Sequence, residues 1–147
     1  MVRCVIIGAP GSGKGTQAEK IQAEFGVPVI MMSALLKESV QRNDALGEMI
    51  AQKMRNGQLI SDDIIWELLK AELALPQYER GCVLDGFPRT IKQVAYLIEA
   101  QFSVDLVLYL KVADEDIVAR MSGRRVHPGS GRVYHTQYAP PKVEGLD

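Results

Sequence analysis

Cysteine and the large aromatics are scarce in this chain of 147 residues, which carries two Cys and one Trp and only 6% Phe, Trp and Tyr together. Cys4 and Cys82 stand far apart inside apolar runs, with neither CxxC nor His-rich spacing. That excludes a disulfide-stapled scaffold and a zinc ligand set, and leaves buried, reduced thiols as the expected state. No charge of one sign dominates either: 17 Lys plus Arg face 18 Asp plus Glu, a net charge of −1. An electrostatic footprint for nucleic acid or for an anionic membrane is therefore not expected. Long hydrophobic runs are missing. Met1 to Ile7 meets Gly-Ala-Pro-Gly at once, too short for a signal-peptide core, and no run reaches membrane-spanning length. Internal repeats and low-complexity tracts are absent. With 47% hydrophobic residues to fill a core without staples, a single-domain, cytoplasmic, monomeric protein is the expectation.

What is present alternates between two hydrophobic periods, the pattern of a parallel sheet wrapped by helices and hence of an α/β fold. Val2 to Ile7, Val27 to Met31, Cys82 to Leu84 and Leu106 to Leu110 read as strands, and their near-continuous apolar character predicts burial on both faces. Pro28 puts the second strand at an edge. Between them, Ala18, Ile21 and Phe25 share a helical face that stops at Gly26. Ser33 is placed to cap a helix carrying Leu36 and Val40. Leu46, Met49, Ile50 and Met54 line another that ends at Gly57. Ser61-Asp62-Asp63 begins a helix with Ile65, Leu68, Leu69 and Leu73 inward and acids where its dipole favours them. Thr90 precedes Val94, Leu97 and Ile98, and Asp114 is placed to cap a last helix through Ile117 and Met121. Beyond Gly123 the chain turns basic and turn-rich, an excursion readable as a hairpin lid.

The strongest chemical signal is Gly8-Ala9-Pro10-Gly11-Ser12-Gly13-Lys14-Gly15-Thr16, between the first strand and the first helix. Such a loop wraps phosphate oxygens in backbone N–H groups, the helix start adds positive potential, and Lys14 supplies a point charge. The strict pattern has Ser or Thr directly after the lysine, whereas here Gly15 intervenes and the hydroxyl arrives at Thr16. Asp85 ends the third strand at the carboxyl edge of the sheet, where such sheets bind ligands, and is a candidate for holding Mg²⁺ through water. Arg89 follows Asp85-Gly86-Phe87-Pro88, and Arg120 and Arg124 lie four apart, on one face if that helix continues. Converging guanidinium groups supply the charge neutralisation that phosphoryl transfer needs. Thr90-Ile91-Lys92-Gln93 is also a capping box, which alone would account for Gln93. Hydrogen bonding within the excursion accounts for His127 and His135, and packing accounts for Trp66, Tyr78 and Tyr96.

Together with Gly123-Arg124-Arg125-Val126-His127 and Gly131-Arg132-Val133-Tyr134-His135, the phosphate loop and Asp85-Gly86-Phe87-Pro88-Arg89-Thr90 resemble the adenylate kinase family over the whole chain. The resemblance implies a P-loop, doubly wound parallel sheet with helices on both faces, a core of residues 1–30 and 61–122, nucleoside-monophosphate-binding helices at 31–60, and a partial lid at 123–147. It implies reversible transfer of the γ-phosphoryl of Mg-ATP to AMP, giving two ADP. It implies that Gly11, Ser12, Gly13, Lys14, Gly15, Thr16, Arg120 and Arg124 hold ATP phosphates and that Val133 and Tyr134 cover the adenine. Met32, Lys37, Gln58, Leu59, Ile60, Gly86, Phe87, Pro88, Arg89 and Gln93 would form the acceptor site, with Arg89 on its phosphate and Gln93 at the adenine edge. Lys14, Asp85, Arg89 and Arg124 would carry the catalysis, with Mg²⁺ bound through ATP and waters near Asp85 and no direct protein ligand. The lid lacks a four-cysteine zinc set and would rest on polar contacts of His127, Ser130 and Asp147. Two departures stand out. Met32-Ser33-Ala34 and Leu36-Lys37 occupy the positions where the family usually has Thr-Gly-Asp and Leu-Arg, which points to altered acceptor binding. The family also continues beyond the length seen here, so the reading includes a C-terminally incomplete chain with impaired transfer, a non-catalytic ATP-binding remnant, or a kinase for another nucleoside monophosphate.

Overall fold

The computed structural model describes residues 1–142 of the chain. β1 (Val2–Gly8), β2 (Val29–Met31), β3 (Gly81–Asp85) and β4 (Leu106–Leu110) form one sheet in the order β2-β3-β1-β4. Both β1 and β2 run parallel to β3, with Cys4 opposite Val83 and Ile30 opposite Leu84. Among the described residues, six α-helices connect and flank the strands: α1 (Lys14–Phe25), α2 (Met32–Gln41), α3 (Ala45–Arg55), α4 (Asp62–Leu73), α5 (Ile91–Glu99) and α6 (Asp114–Gly123). The mixed α/β architecture with a parallel central sheet follows from the alternation of periods 2 and 3.6 along the chain. No helix among the described residues is long and apolar enough to cross a membrane.

The chain makes two compact units. The first comprises Met1–Ile7 and Lys14–Tyr109. Its core is centred on β3, every residue of which is buried, and gathers Val5, Ile30, Met32, Leu69, Leu84, Phe87 and Leu97. Trp66 stacks on Phe87 and on Tyr96, and Tyr78 packs against the core, so all three aromatics flagged for packing do that. Cys4 and Cys82 are buried and free, and burial pushes the Cys82 thiol up to about 11. Pro28 immediately precedes β2, whose position at the sheet edge agrees with the sequence reading, and its carbonyl accepts from Val83 N–H at 2.9 Å.

The second unit comprises Gly8–Gly13 and Leu110–Asp147. Within it α6 leads into a two-stranded antiparallel hairpin of β5 (Arg124–Val126) and β6 (Val133–His135). The excursion after Gly123 is thus a hairpin, as its turn-rich composition suggested.

Five local expectations are corrected. β4 is not buried on both faces: Leu106, Val107 and Tyr109 are exposed, because β4 borders β1 on one side and no other strand among the described residues. Phe25 is 72% exposed, being the last residue of α1 where the chain is already turning away at Gly26. Met49 and Met54 are exposed, and Ile50 alone of the α3 stripe is fully buried. Ser33 does not cap α2, since β2 runs directly into the helix and Met31 takes the cap position without a side-chain bond. Asp114 lies inside α6 after an extended Ala113, where with Glu115 and Asp116 it favours the helix dipole instead of capping.

Candidate functional site

In the first unit, β3 delivers Asp85 to the carboxyl end of the sheet, 7% exposed. Lys14 opens α1, and the first turn of that helix passes this strand end: a Cβ added to Gly15 would stand 4.0 Å from Asp85 Oδ2. The position where the strict phosphate-loop motif carries a hydroxyl therefore faces the carboxylate. Burial raises the Asp85 pKa, while the positive charges of Lys14 and Arg89 pull it back down. A buried carboxylate between two cations is the environment expected where phosphate charge is to be gathered and moved.

The turn after Asp85 is built for close approach. Gly86 sits at φ +89°, a conformation that favours glycine, and a Cβ there would come within 3.3 Å of Arg89 Nη2 and 3.4 Å of Met32 Cβ. The Arg89 guanidinium thus folds back over Gly86. Phe87 is buried against Trp66 and anchors the turn, and the Phe87-Pro88 bond is cis. Half of the capping box forms as expected, with Gln93 N–H donating to Thr90 Oγ1 at 3.1 Å. The other half is displaced by one residue: Gln93 Oε1 accepts from Arg89 N–H at 2.6 Å, not from Thr90. Gln93 Nε2 donates to Asp62 Oδ1 at 2.8 Å, and the Thr90 hydroxyl donates to Asp62 Oδ2 at 3.0 Å. Asp62 is the site residue that sequence reasoning missed. Its only visible signal was its place in a helix start, and its partner Gln93 lies 31 residues away.

Lys14, Gly15, Asp85, Gly86, Arg89, Met32 and Gln93 thus form one neighbourhood. Met32 is 4% exposed and belongs to the core, offering no hydroxyl. Lys37 is exposed on α2, Leu59 is 92% exposed, and Gln58 and Ile60 lie with it on the link between α3 and α4. Thr16 is exposed in the first turn of α1.

In the second unit the glycine-rich loop turns on Gly11 and Gly13, at φ +82° and +95°, with Ser12 N–H donating to the Ala9 carbonyl at 3.0 Å. Arg120 Nη1 donates to the Ser12 carbonyl at 3.3 Å, and Gly11 lies against Met121, so α6 supports the loop. The Ser12 hydroxyl is buried without a partner. Arg120 and Arg124 do not share a helical face, since α6 ends at Gly123 and Arg124 enters β5. Val133 and Tyr134 line an open cavity of about 350 Å³ with Arg132, Ala139, Pro140 and Lys142. Polar contacts hold the hairpin: Ser130 N–H donates to His127 Nδ1 at 3.1 Å, and Gln137 and Tyr138 N–H both donate to His135 Nδ1. Asp147, expected to join these contacts, lies outside the described residues.

Against known families, the model described as adenylate kinase matches residues 6–143.

Proposed function

Because the chain belongs to the adenylate kinase family, whose members are nucleoside monophosphate kinases, we propose that it transfers the γ-phosphoryl group of Mg-ATP reversibly to AMP. The observation that carries this reading is the end of β3, where Asp85 is buried and both Lys14 and Arg89 bear on its ionisation. Phosphoryl transfer asks little covalent chemistry of a protein and much positioning and charge stabilisation. Lys14 would follow the charge of the moving phosphoryl group. Arg89, folded over Gly86, would hold the acceptor phosphate, and Arg124 would add positive charge from the lid. Gly11, Ser12 and Gly13 would cradle the ATP phosphates, with Arg120 stiffening the loop through the Ser12 carbonyl. Val133 and Tyr134, on the wall of the open cavity, would cover the adenine.

Mg²⁺ fits this donor set. It takes one or two carboxylates together with substrate phosphates and water, and Asp85 supplies a single buried carboxylate beside the phosphate-binding lysine. Asp85 would hold the ion through water, and the ion would neutralise charge on the phosphates when bound.

A second reading, transfer to a different nucleoside monophosphate, is favoured by one observation. Met32 packs into the core where the family resemblance places an acceptor-binding hydroxyl. A coupled assay of ADP formation from Mg-ATP with AMP, GMP, CMP and UMP tests both. AMP is expected to be the best acceptor, and Lys14→Met to lower kcat by ~10²- to 10³-fold, the usual loss when one donor to transition-state charge is removed. Equal turnover by wild type and Lys14→Met would refute the proposal.

A further inference from the structure

Asp62, the first residue of α4, reaches across to the start of α5 and accepts from two partners there, Gln93 Nε2 on Oδ1 and the Thr90 hydroxyl on Oδ2. A carboxylate only accepts hydrogen bonds, so it faces the nitrogen end of the Gln93 amide and never the oxygen end. At the opposite end of the same amide, Oε1 takes the Arg89 backbone N–H. The Thr90 hydroxyl, its proton committed to Asp62, accepts from Gln93 N–H and closes a ring of three hydrogen bonds, to which the Arg89 bond adds a fourth. Gln93 is 5% exposed. A flipped amide would set its oxygen against the Asp62 carboxylate and its nitrogen against the Arg89 donor, two repulsive contacts in a largely desolvated place.

Resting on the kinase reading above and on the place at the adenine edge that the family resemblance gives Gln93, we infer that Asp62 is a positioning residue that, with the Arg89 N–H, locks the flip of the Gln93 amide and thereby sets the base preference of the acceptor site. An engaged Gln93 retains one Nε2 proton and one Oε1 lone pair. Those two groups stand in an order that the clamp decides. Adenine offers an acceptor ring nitrogen beside an exocyclic amine, whereas guanine offers a ring N–H beside a carbonyl, so the two edges present donor and acceptor in opposite order. A glutamine free to flip satisfies either edge, and a glutamine held by a carboxylate satisfies one. α4 and α5 do not depend on this contact alone, because Asp63 of α4 accepts from the Tyr96 hydroxyl and pairs with Lys92 Nζ at 3.1 Å on α5.

The experiment uses the full chain as wild type, Asp62→Ala and Asp62→Asn. AMP and GMP binding is followed by NMR of the Gln93 side-chain amide, and ADP formation is assayed alongside. Asparagine at this place can itself rotate to meet either flip of Gln93, which leaves one of the two repulsive contacts, that with the Arg89 N–H, so Asp62→Asn should keep the wild-type melting temperature yet discriminate less. Both variants are expected to shrink the AMP-to-GMP affinity ratio by ~10-fold, the scale of one hydrogen bond to a charged group, while the KM for ATP stays put. An unchanged ratio in both variants, whatever happens to the melting temperature of Asp62→Ala, overturns the inference and leaves the kinase reading standing. Nucleotide binding whose base preference the variants erase, without ADP formation by any form, upholds the inference and defeats the kinase reading. Absence of AMP and GMP binding to wild type defeats both.

Discussion

Asp85 shows how a single residue proposed for the site can be costly to the fold. Its carboxyl pKa lies above the ordinary value of 3.8 because burial outweighs the pull of Lys14 and Arg89. A raised carboxyl pKa means that the folded state holds the proton more tightly than the unfolded chain. The stabilisation linked to that proton is fully present below the unfolded value and is lost as pH rises through the folded one. Above the unfolded value Asp85 therefore carries a cost to the fold that grows until the pH passes the folded one. Asp85→Asn mimics the neutral form, so it is expected to be more stable than wild type near pH 7 in urea unfolding. The advantage should shrink as pH falls toward 3.8. The same variant should lose phosphoryl transfer by ~10² or more, as removal of an electrostatic group in a preorganised site does. Gain of stability with loss of turnover is the trade expected of a strained functional position. Equal stability at pH 7, or an advantage that grows on acidification, would show that burial does not dominate at Asp85.

At the scale of elements, the two helices at 31–60 approach each other most tightly at Gly47. Asp44 caps α3 by accepting from Gly47 N–H at 2.7 Å, and Gly47 itself is buried where α3 meets α2. A Cβ at Gly47 would fall 2.3 Å from the Ser39 carbonyl oxygen, which belongs to the backbone of α2 and cannot swing aside. Glycine inside a helix ordinarily gives up about 1 kcal/mol relative to alanine, so its presence here needs a reason, and the approach of the two helices supplies one. Two effects oppose each other in Gly47→Ala: the propensity gain, and an overpacking cost of ~1–3 kcal/mol or more where backbone is the obstacle. The clash should win. A net loss of ~1–2 kcal/mol is expected, read as a lower urea midpoint at unchanged m-value. The KM for the acceptor should rise more than that for ATP if these helices bind the monophosphate. A variant as stable as wild type would mean that α2 and α3 can separate without penalty.

Across the whole molecule, what could be read from residues alone was whatever depends on near neighbours in the chain. Strand β3 was legible because an unbroken Cys-Val-Leu run ahead of a turn reads as a short buried strand, and it is buried throughout. Lys14, Asp85 and Arg89 were legible because a phosphate loop and a strand end place chemistry at fixed offsets. The exposure of β4 was not, since an apolar run in an edge strand is spelled like one in a central strand, and only the strand order distinguishes them. Nor was the Asp62 to Gln93 bond, which forms because α4 and α5 are brought side by side. Caps slipped by two residues at α2 and by one at α6, because a polar residue at a helix start is equally at home on the cap or just inside it. The same contrast between buried and exposed strands predicts how stability is distributed within each unit. Amide exchange reports local opening where few apolar contacts hold a segment, and global unfolding where many do. All five residues of β3 are buried, whereas all three of β5 are exposed and the hairpin that contains it is held by polar contacts at its turns. In hydrogen exchange followed by NMR, the paired amides of β3 should therefore be the slowest of the first unit and exchange only with its global unfolding. Those of β5 and β6 should exchange through local opening, orders of magnitude faster. Hairpin amides as protected as those of β3 would mean that the second unit is held by more than the hydrogen bonds of its own turns.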